Sequence, residues 1–378
     1  MGTALAPRIV VAGRSLQATQ AFASYWRLAA ERQRIFFRRA GGEPPPWTDD
    51  PVLRAHRFTN AYRASDRVSQ YLINEVIYGT TVDARSMVLR VLLFKVFNRP
   101  ATWRVIEEAV GELTMDTFDV KLLDEVLTRR ISTGERLYSA AYIMPSPRLG
   151  SERKHSNHLH LLRQLSDDGT IDEVLTSTSL RALFERLSRV PSFGPFLAFQ
   201  FAIDLNYTPL FPFSEMDYVV AGPGARDGIS KCFTNAGDLP PSDVIRAVTE
   251  SADEQFEAAG IQFESLWGRP LQLIDCQNLF CEVSKYARVA HPELVGVSGR
   301  TRIKQRYVTD LHPFAIGYPP KWGLPMSALG PCQRLERESA LVQVADNATA
   351  VRRSHLPPHL EPLEDCSFNL PKRSTAHL

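Results

Sequence analysis

Apolar residues recur at helical spacing along most of this chain, and strict alternation of apolar and polar residues is almost absent. A repeat near 3.6 residues predicts helices, whereas a repeat of two predicts strands. The pattern predicts a mainly α protein with helices at 15–40, 65–78, 83–97, 101–111, 118–129, 133–142, 154–165, 171–187, 196–205, 242–259 and 271–289.

A tight reversal between two apolar helices lies within residues 187–205. Pro191 cannot continue the first helix, and Gly194 supplies the backbone freedom that a sharp turn needs. Such a hairpin can turn backbone N–H groups at a helix N-terminus toward a phosphate. We therefore expect Ser192, Phe193 and Gly194 to bind a phosphate group. The alternative is a packing loop between two core helices.

A lone aspartate, Asp217, follows the hairpin by 23 residues. A helix-hairpin-helix followed by a lone aspartate resembles the helix-hairpin-helix DNA glycosylases. This resemblance implies that Ser192, Phe193 and Gly194 grip a DNA backbone and that Asp217 acts at the sugar of a flipped nucleotide. Breaking an N-glycosidic bond builds positive charge on the sugar, and a fixed carboxylate stabilises that charge and can orient water. Asp217 is therefore the candidate catalytic residue, with Glu215 as a neighbouring rival. The alternative is a helix N-cap or a loop aspartate.

Aromatic, amide, guanidinium and carboxylate side chains crowd into one short segment. Asn60 and Arg63 can hold a base edge or a phosphate, Phe58 or Tyr62 can stack on a flipped base, and Asp66 completes the set. These five residues form the predicted base pocket. The alternative is a buried polar network that joins two helices.

Two later segments add charged candidates. Glu282 and Lys285 share one face of a predicted helix, which makes Glu282 a second possible catalytic carboxylate and Lys285 a pocket residue. A surface ion pair is the alternative. Arg302 and Lys304 lie in a basic stretch beside Tyr307, a mixture that suits contacts to a DNA backbone. A solvated loop explains that stretch equally well.

A glycine-rich turn contains Gly222 and Gly224, with Lys231 a few residues later. It does not fit the kinase phosphate loop in register, because the serine and lysine are transposed and the glycines are misplaced. We expect these three residues to contact a DNA phosphate. A plain structural turn is the alternative.

Composition and charge limit the classes of protein to which this chain can belong. The net charge is only +2, so any DNA-binding surface must arise from local clustering. Five cysteines without a C-x-x-C pair indicate reduced thiols in a cytoplasmic setting. No apolar run is long enough for a membrane span. His155, His158 and His160 lack an H-E-x-x-H pattern, so neither a metal nor a cofactor is expected.

Short motifs in a fixed order resemble the α-glutamyl/putrescinyl thymine pyrophosphorylase family, which is related to the 5-hydroxymethyl-deoxyuridine DNA kinase helical domain. The resemblance covers roughly 20–322, and its motifs lie at 46–51, 57–63, 66–67, 190–194, 216–217, 221–224 and 277–288. It implies a two-lobed, helix-hairpin-helix glycosylase-like fold and action on modified pyrimidines in DNA, chiefly in phage systems. Some members resemble transferases that attach amino acids or amines to activated thymine. Others excise glucosylated hydroxymethylcytosine in anti-phage defence.

Two departures from related patterns shape the expected activity. No kinase domain accompanies the helical part, so this chain alone is not expected to phosphorylate DNA. Phe196 stands where lysine-dependent helix-hairpin-helix glycosylases carry their Schiff-base lysine, two residues after the last glycine of the hairpin. This difference favours a monofunctional enzyme.

The first hypothesis is therefore a monofunctional DNA glycosylase that flips and excises a bulky modified pyrimidine, such as glucosylated 5-hydroxymethylcytosine, from double-stranded phage DNA. The second is a transferase that attaches an amino acid or amine to an activated 5-hydroxymethyl pyrimidine, and the third is a non-catalytic DNA-binding module. We expect a cytoplasmic monomer with an N-terminal helical extension (1–45), a glycosylase-like domain (46–322) and an irregular C-terminal tail (323–378).

Overall fold

A computed structural model of the chain describes residues 8–310 and 315–325. The predicted mainly α class is confirmed, since the only sheet in this part of the chain pairs two-residue strands, β1 (Val10–Val11) and β2 (Arg14–Ser15). The helices are α1 (Gln20–Ala40), α2 (Pro51–Ala55), α3 (Arg67–Tyr71), α4 (Ala84–Phe97), α5 (Pro100–Val110), α6 (Val120–Ser132), α7 (Lys154–Asp167), α8 (Thr170–Leu175), α9 (Leu180–Leu187), α10 (Pro195–Asn206), α11 (Pro223–Cys232), α12 (Pro241–Glu250), α13 (Ala252–Ala258) and α14 (Leu273–Ala290).

Short turns complete these elements. A 3-10 turn at Arg63–Ser65 precedes α3, a π-helical turn at Leu72–Ile77 follows it, and a 3-10 turn at Pro320–Trp322 lies near the end of the described chain. Within the described residues, no helix has the length and apolar character that a bilayer crossing requires.

Several predicted elements differ from the structure, and the helix expected at 242–259 is divided at Ser251 into α12 and α13. The helix expected at 133–142 does not form, because Gly134 takes a left-handed φ of 82° just after α6. The helix expected at 171–187 is split into α8 and α9, because Ser179 caps a new helix by accepting a hydrogen bond from the Ala182 N–H. Helix α11 begins at Pro223, inside the stretch expected to be loop, since proline suits the first helical position.

Helix contacts fall into two groups. The first group contains α4 through α10. In the second group α14 contacts α1, α2, α11 and α12. Helix α10 is at the centre: ten of its twelve residues are buried, so it is apolar on nearly every side rather than amphipathic. The short α9 packs against it and completes the helix-hairpin-helix.

The N-terminal helix α1 is part of the second group. It packs on α14 and α11, and the buried Tyr25 hydroxyl donates to the Cys276 carbonyl at 3.1 Å. The boundary expected at residue 45 therefore does not correspond to a break in packing.

A buried ion-pair network connects the two groups. Asp204 on α10 lies 2.6 Å from the Arg63 guanidinium and 2.8 Å from the Lys95 amine, and all three side chains are about 3% exposed. Arg63 precedes α3, and Lys95 is on α4. Removing one member of such a network leaves an unpaired buried charge, which is costly.

Residues 315–325 form a strap across this network. The Tyr318 hydroxyl bonds the Ser65 hydroxyl at 2.7 Å, and Gln70 bonds Gly317 through both ends of its amide. The Lys321 amine donates to the carbonyl of Asn206, the last residue of α10, and to the carbonyl of Phe211 in the loop that follows. The chain is therefore ordered against the core past residue 322, whereas residues 326–378 of the expected tail lie outside the described residues.

Asp204→Asn is expected to destabilise the fold by about 3 kcal/mol, because Arg63 and Lys95 would then share no carboxylate in a buried site. Urea denaturation followed by circular dichroism measures the change. Asp167→Asn, which removes the partner of Arg163 from an exposed pair, is the matched control and is expected to change little. Equal stability of the two variants would contradict the role assigned to Asp204.

Candidate functional site

The hairpin between α9 and α10 is built on a tight turn. The Phe193 N–H donates to the Val190 carbonyl at 3.0 Å, Pro191 occupies the second turn position, and Ser192 takes a left-handed φ of 71°. Phe193 also stacks on Phe201, with ring centroids 4.2 Å apart. The amide of Phe193 is therefore used inside the turn and is not available to a phosphate, contrary to the expectation for this residue.

The start of α10 retains open N–H groups. Its first helical bond runs from the Ala198 N–H to the Gly194 carbonyl, so the N–H groups of Phe196 and Leu197 lack an intrahelical acceptor. Within the described residues, the N–H groups of Ser192 and Gly194 also make no hydrogen bond. Because a Cβ built on Gly194 would meet no atom within 4 Å, this end faces open space. The geometry is that of an anion-binding helix N-terminus.

The glycine-rich turn before α11 packs against the same end of α10. A Cβ on Gly222 would come 2.5 Å from the ring of Phe196, and one on Gly224 would come 3.0 Å from the sulfur of Cys281. Both glycines therefore permit close packing of α11 on α10 and α14. This contact explains them without the phosphate-binding role that the sequence suggested.

Three half-exposed side chains meet beside the hairpin. Phe196 and Tyr142 have ring centroids 6.1 Å apart, and Phe196 lies against the turn that brings Cys281 close. These side chains lie where α10, α14 and the loop that follows α6 meet at the surface, next to the open N-terminus of α10. We refer to this partly exposed junction as the cleft.

Two fully buried amides form the floor below Phe196 and Tyr142. The Gln200 Oε1 accepts from the Arg63 Nε at 3.0 Å and from the Tyr142 hydroxyl at 3.2 Å. Its Nε2 donates to the Gln277 Oε1 at 3.5 Å, while the Gln277 Nε2 donates to the Cys281 sulfur at 3.1 Å. The long amide–amide contact is the weakest link in this set. The predicted site residues included neither glutamine. A glutamine inside the largely apolar α10 could have indicated a functional position, because a polar side chain is unusual there.

Most of the predicted base-pocket residues are engaged in hydrogen bonds within the protein. Tyr62 is 1% exposed, and its hydroxyl donates to the Arg269 carbonyl at 2.6 Å. Arg63 is bound to Asp204 and to Gln200 of the floor, as described above. The half-buried Asn60 donates its side-chain N–H to the Ser65 carbonyl at 2.7 Å and its backbone N–H to Asp66 at 2.8 Å. These contacts agree with the alternative interpretation, a polar network within the protein, and Arg63 joins it to the floor of the cleft.

Glu282 and Lys285 form a shielded ion pair at 2.7 Å, close to Cys281 along α14. The Glu282 Oε2 also accepts from the Thr59 N–H at 2.9 Å, and the Lys285 amine lies 4.4 Å from the ring centre of Phe58. Phe58, Lys285 and Glu282 are thus brought together as a polar and aromatic cluster. In this arrangement both charges already have partners.

Asp217 lies on a loop fixed against the helix-hairpin-helix. The neighbouring Tyr218 ring packs against Phe184 of α9 and Phe199 of α10, with centroids 5.1 and 6.1 Å away. Arg246 donates to the Asp217 carbonyl at 3.1 Å, which holds the backbone. The Asp217 carboxylate is exposed and makes no hydrogen bond or ion pair with any described residue. The backbone of Asp217 is therefore fixed, while its carboxylate makes no polar contact with the described part of the protein.

Glu215, two residues earlier, has the opposite environment. It is buried, and its Oε2 pairs with Arg269 at 2.7 Å, while its Oε1 is enclosed without a hydrogen-bond partner. The Arg269 guanidinium lies 3.9 Å from the ring centre of Trp322 in the strap. The pKa of Asp275, at the start of α14, is raised to about 7. Burial is the larger cause, and the negative charge of Glu215 is the second.

The remaining DNA-binding candidates divide into buried and exposed side chains. The Lys231 amine is buried, donates to the Ser284 carbonyl at 3.0 Å and pairs with Asp227 at 3.4 Å. It does not face solvent, so its position does not support the expected phosphate contact. Arg302 and Lys304 are exposed.

Histidine and acidic side chains form no metal-like cluster in the part of the chain that the structure describes. His158 instead bonds the Tyr138 hydroxyl at 2.7 Å and the Pro145 carbonyl at 2.8 Å. Burial lowers the pKa of His158 to about 4.

Both a protein-family model and a curated protein match this chain. The family model described as "5-hmdU DNA kinase, helical domain" matches residues 19–296. The chain is 28% identical over 286 residues to the 5-hmdU DNA kinase of Bacillus phage SP10, an alignment that covers 69% of this chain and 44% of that protein. The chain thus spans less than half the length of this curated relative. No solved structure matches the chain significantly.

Stability is expected to depend on the ionisation of Asp275. With a folded pKa of about 7 and an unfolded pKa near 3.9, the folded chain holds a proton that the unfolded chain releases between these values. This contribution is therefore fully present below about pH 4 and is lost as the pH rises through 7. Asparagine does not titrate, so Asp275→Asn should not show this fall in the free energy of unfolding. Its stability relative to the wild type should therefore rise by up to about 1.4 kcal/mol per pH unit between about pH 4 and pH 7.

Urea unfolding of both proteins from pH 5 to 8 measures this difference, and taking the difference removes the contributions of the other titrating groups. Asp66→Asn is the matched comparison. Burial raises the pKa of Asp66 to about 6, so the stability of this variant relative to the wild type should stop rising about one pH unit lower than for Asp275→Asn. A difference in the free energy of unfolding between the wild type and Asp275→Asn that stays constant from pH 5 to 8 would contradict the prediction.

Proposed function

Because the chain belongs to the family of 5-hmdU DNA kinase helical domains, we propose that it is a monofunctional DNA glycosylase that excises a modified pyrimidine from double-stranded DNA. The observation that carries the proposal is the unpaired Asp217 carboxylate, held against both helices of a hairpin whose N–H groups are open. The relative is named for action on 5-hmdU in DNA, which supports a pyrimidine with a substituent at C5 as the substrate.

The proposed reaction breaks the bond between the sugar C1′ and the base nitrogen. The bonding electrons leave with the base, which takes up a proton, and positive charge develops on the sugar. Asp217 stabilises this charge and orients a water molecule, whose oxygen joins C1′ as its proton is released. The products are a free base and an abasic site. A carboxylate without a protein partner suits this role because no ion pair must be broken first.

The cleft beside the hairpin is the proposed base pocket. Phe196 and Tyr142 offer aromatic surface to a flipped base. The amides of Gln200 and Gln277 are fully buried beneath these rings, and they would give a donor and an acceptor to the base edge once a ring moves aside. The 3.5 Å contact between these amides loses little when a ligand replaces it. Stacking and edge contacts of this kind offset the few kcal/mol that base extrusion costs.

Strand cleavage through a lysine imine is not part of the proposal. Phe196 occupies the position of the Schiff-base lysine, and the buried amines of Lys95 and Lys231 are held in ion pairs. A protonated, paired amine is a poor nucleophile. The expected product is therefore an intact strand with an abasic site.

The biological setting is proposed from the relative and from the family resemblance. The relative is a phage protein, and phages are a source of DNA with hypermodified pyrimidines. We propose that the chain acts in the bacterial cytoplasm on phage DNA, as an anti-phage defence.

The alternative function is transfer of an amine or amino acid to an activated 5-hydroxymethyl pyrimidine. It is favoured by the relative's name, since a kinase transfers a group to the substituent rather than removing the base. The same cleft would serve, with Glu282 or Asp217 as base. A non-catalytic DNA-binding module is the third possibility, and it requires only the hairpin.

One experiment separates the three functions. The protein is incubated with DNA from several hypermodified phages, and the products are analysed by alkali treatment and by nucleoside mass spectrometry. A free base with alkali-labile sites supports excision, a new nucleoside adduct in the presence of amines supports transfer, and unchanged DNA with measurable binding supports a binding module.

Asp217→Asn is expected to lower the single-turnover excision rate by roughly 10²–10³ while leaving affinity for modified DNA nearly unchanged. The substitution keeps the size of the side chain and removes its charge. Glu215→Gln is the comparison, since Glu215 is buried against Arg269 and should act through stability. A wild-type rate for Asp217→Asn would move the catalytic role to Glu215 or Glu282.

Gly194→Val is expected to weaken binding to all duplexes alike, because its side chain would block the open N–H groups and phosphate contacts do not specify sequence. The fold should be unaffected, since no atom lies within 4 Å of the new Cβ. Gly237→Val is the matched control at another exposed glycine with free space around its Cβ. Fluorescence anisotropy measures both variants. A loss confined to modified DNA would assign the hairpin a different role.

A further inference from the structure

A group of exposed cations, brought together by the pairing of residues 55–57 with residues 305–307, makes no ion pair within the described residues. This basic strip consists of Arg54, Arg57, Arg300, Arg302, Lys304 and Arg306. Many other surface arginines are neutralised by carboxylates, as Arg85 is by Asp172 and Arg130 is by Glu135. The strip therefore keeps its full charge, although the whole chain carries only +2.

The strip is exposed but its backbone is fixed. Residues 55–57 pair with residues 305–307 through a bridge between His56 and Arg306, and the Arg57 N–H donates to the Gln305 carbonyl at 3.1 Å. The Arg288 guanidinium on α14 donates to the Arg302 carbonyl at 3.2 Å. Attachment at both points means that little backbone entropy is lost when the strip binds a ligand.

The second segment presents most of its side chains to solvent. Ile303 and Tyr307 are half-buried against the core, whereas residues 300–302 and 304–306 are exposed. Four of these six exposed residues are basic, so the segment concentrates positive charge on a short length of chain. Such a local cluster suits contacts to the phosphates of a nucleic-acid strand.

Helix α14 connects this strip to the proposed base pocket. Gln277, Cys281, Lys285 and Arg288 follow one another at helical spacing, and eleven residues separate Gln277 from Arg288. At 1.5 Å per residue, Arg288 and the attached Arg302 lie about 16 Å along the helix from the pocket floor. That distance corresponds to about five base pairs of duplex at 3.4 Å each.

We propose that the basic strip binds the phosphates of one flank of the duplex, about five base pairs from the flipped nucleotide. This inference rests on the proposed function, and it adds a second DNA contact to the hairpin. Two separated contacts would hold the duplex on both sides of the extruded base, so that the DNA cannot pivot about the hairpin. Because the strip touches only phosphates, it should bind modified and unmodified DNA equally.

The test uses the full chain and an unmodified duplex of about 25 base pairs, and it measures affinity at several salt concentrations. The variant combines Arg302→Gln with Lys304→Gln. Each phosphate contact contributes about 0.9 to the slope of log affinity against log salt, so the variant should lower that slope by about 2. Lys121→Gln combined with Arg129→Gln is the control, since it removes the same charge from exposed positions on α6. Its slope should match the wild type.

A second measurement locates the contact. Duplexes that carry one modified base are trimmed stepwise from either end. For the wild type, affinity should fall on one side when the flank becomes shorter than about five base pairs, and the strip variant should be insensitive to trimming on that side. An unchanged salt slope in the strip variant, or unchanged sensitivity to trimming, would overturn the inference.

The outcomes for the strip and for the proposed function are distinguishable. If Gly194→Val and Asp217→Asn behave as expected while the strip variant resembles the wild type, the strip is not a DNA contact and the glycosylase proposal stands. If the wild type binds no duplex at all, both are overturned.

Discussion

A single buried carboxylate constrains the centre of this molecule. Asp204 holds Arg63 and Lys95, which come from different parts of the chain, and neither cation can be buried without it. Arg63 in turn donates to Gln200 and to the Tyr207 hydroxyl, while its backbone N–H donates to Asp275. The orientation of the cleft floor therefore depends on an ion pair below it, so the proposed specificity of the site rests on residues that touch no substrate.

Helix α10 couples the proposed DNA-binding and base-binding functions. Its N-terminus has the open N–H groups, its second residue is Phe196, and Gln200 lies one turn further on. Because these groups share one buried helix, a phosphate bound at the hairpin and a base edge at Gln200 would keep a fixed separation. The strap reinforces this arrangement from the other end, where the Lys321 amine binds the carbonyl of Asn206, the last residue of α10.

Local features could be predicted from the sequence, and features set by distant partners could not. The helices and the position of the hairpin follow from apolar spacing and Pro191, which act within a few residues. The expected role of Gly194 was wrong, because the left-handed residue of the turn is Ser192 and Gly194 takes an ordinary φ of −64°. The burial of Arg63 depends on Asp204, which is 141 residues away, and that of Lys231 depends partly on Ser284, 53 residues away. A charged residue looks the same in sequence whether it faces DNA or a buried carboxylate. For this reason Arg63 and Lys231 were predicted as ligand-binding residues although both are buried in ion pairs.

Glu215 and Asp217 show how environment separates two similar carboxylates. They lie two residues apart on one loop, yet Glu215 is enclosed with Arg269 and Asp217 is exposed and unpaired. A carboxylate that is already neutralised must weaken its existing pair before it can stabilise a new positive charge, and in a buried site that cost is high. Asp217 has no such partner to lose, while Tyr218 and Arg246 fix its backbone. Of the two, Asp217 is therefore the carboxylate that can respond to charge developing on a bound sugar, and Glu215 is the one that anchors the loop.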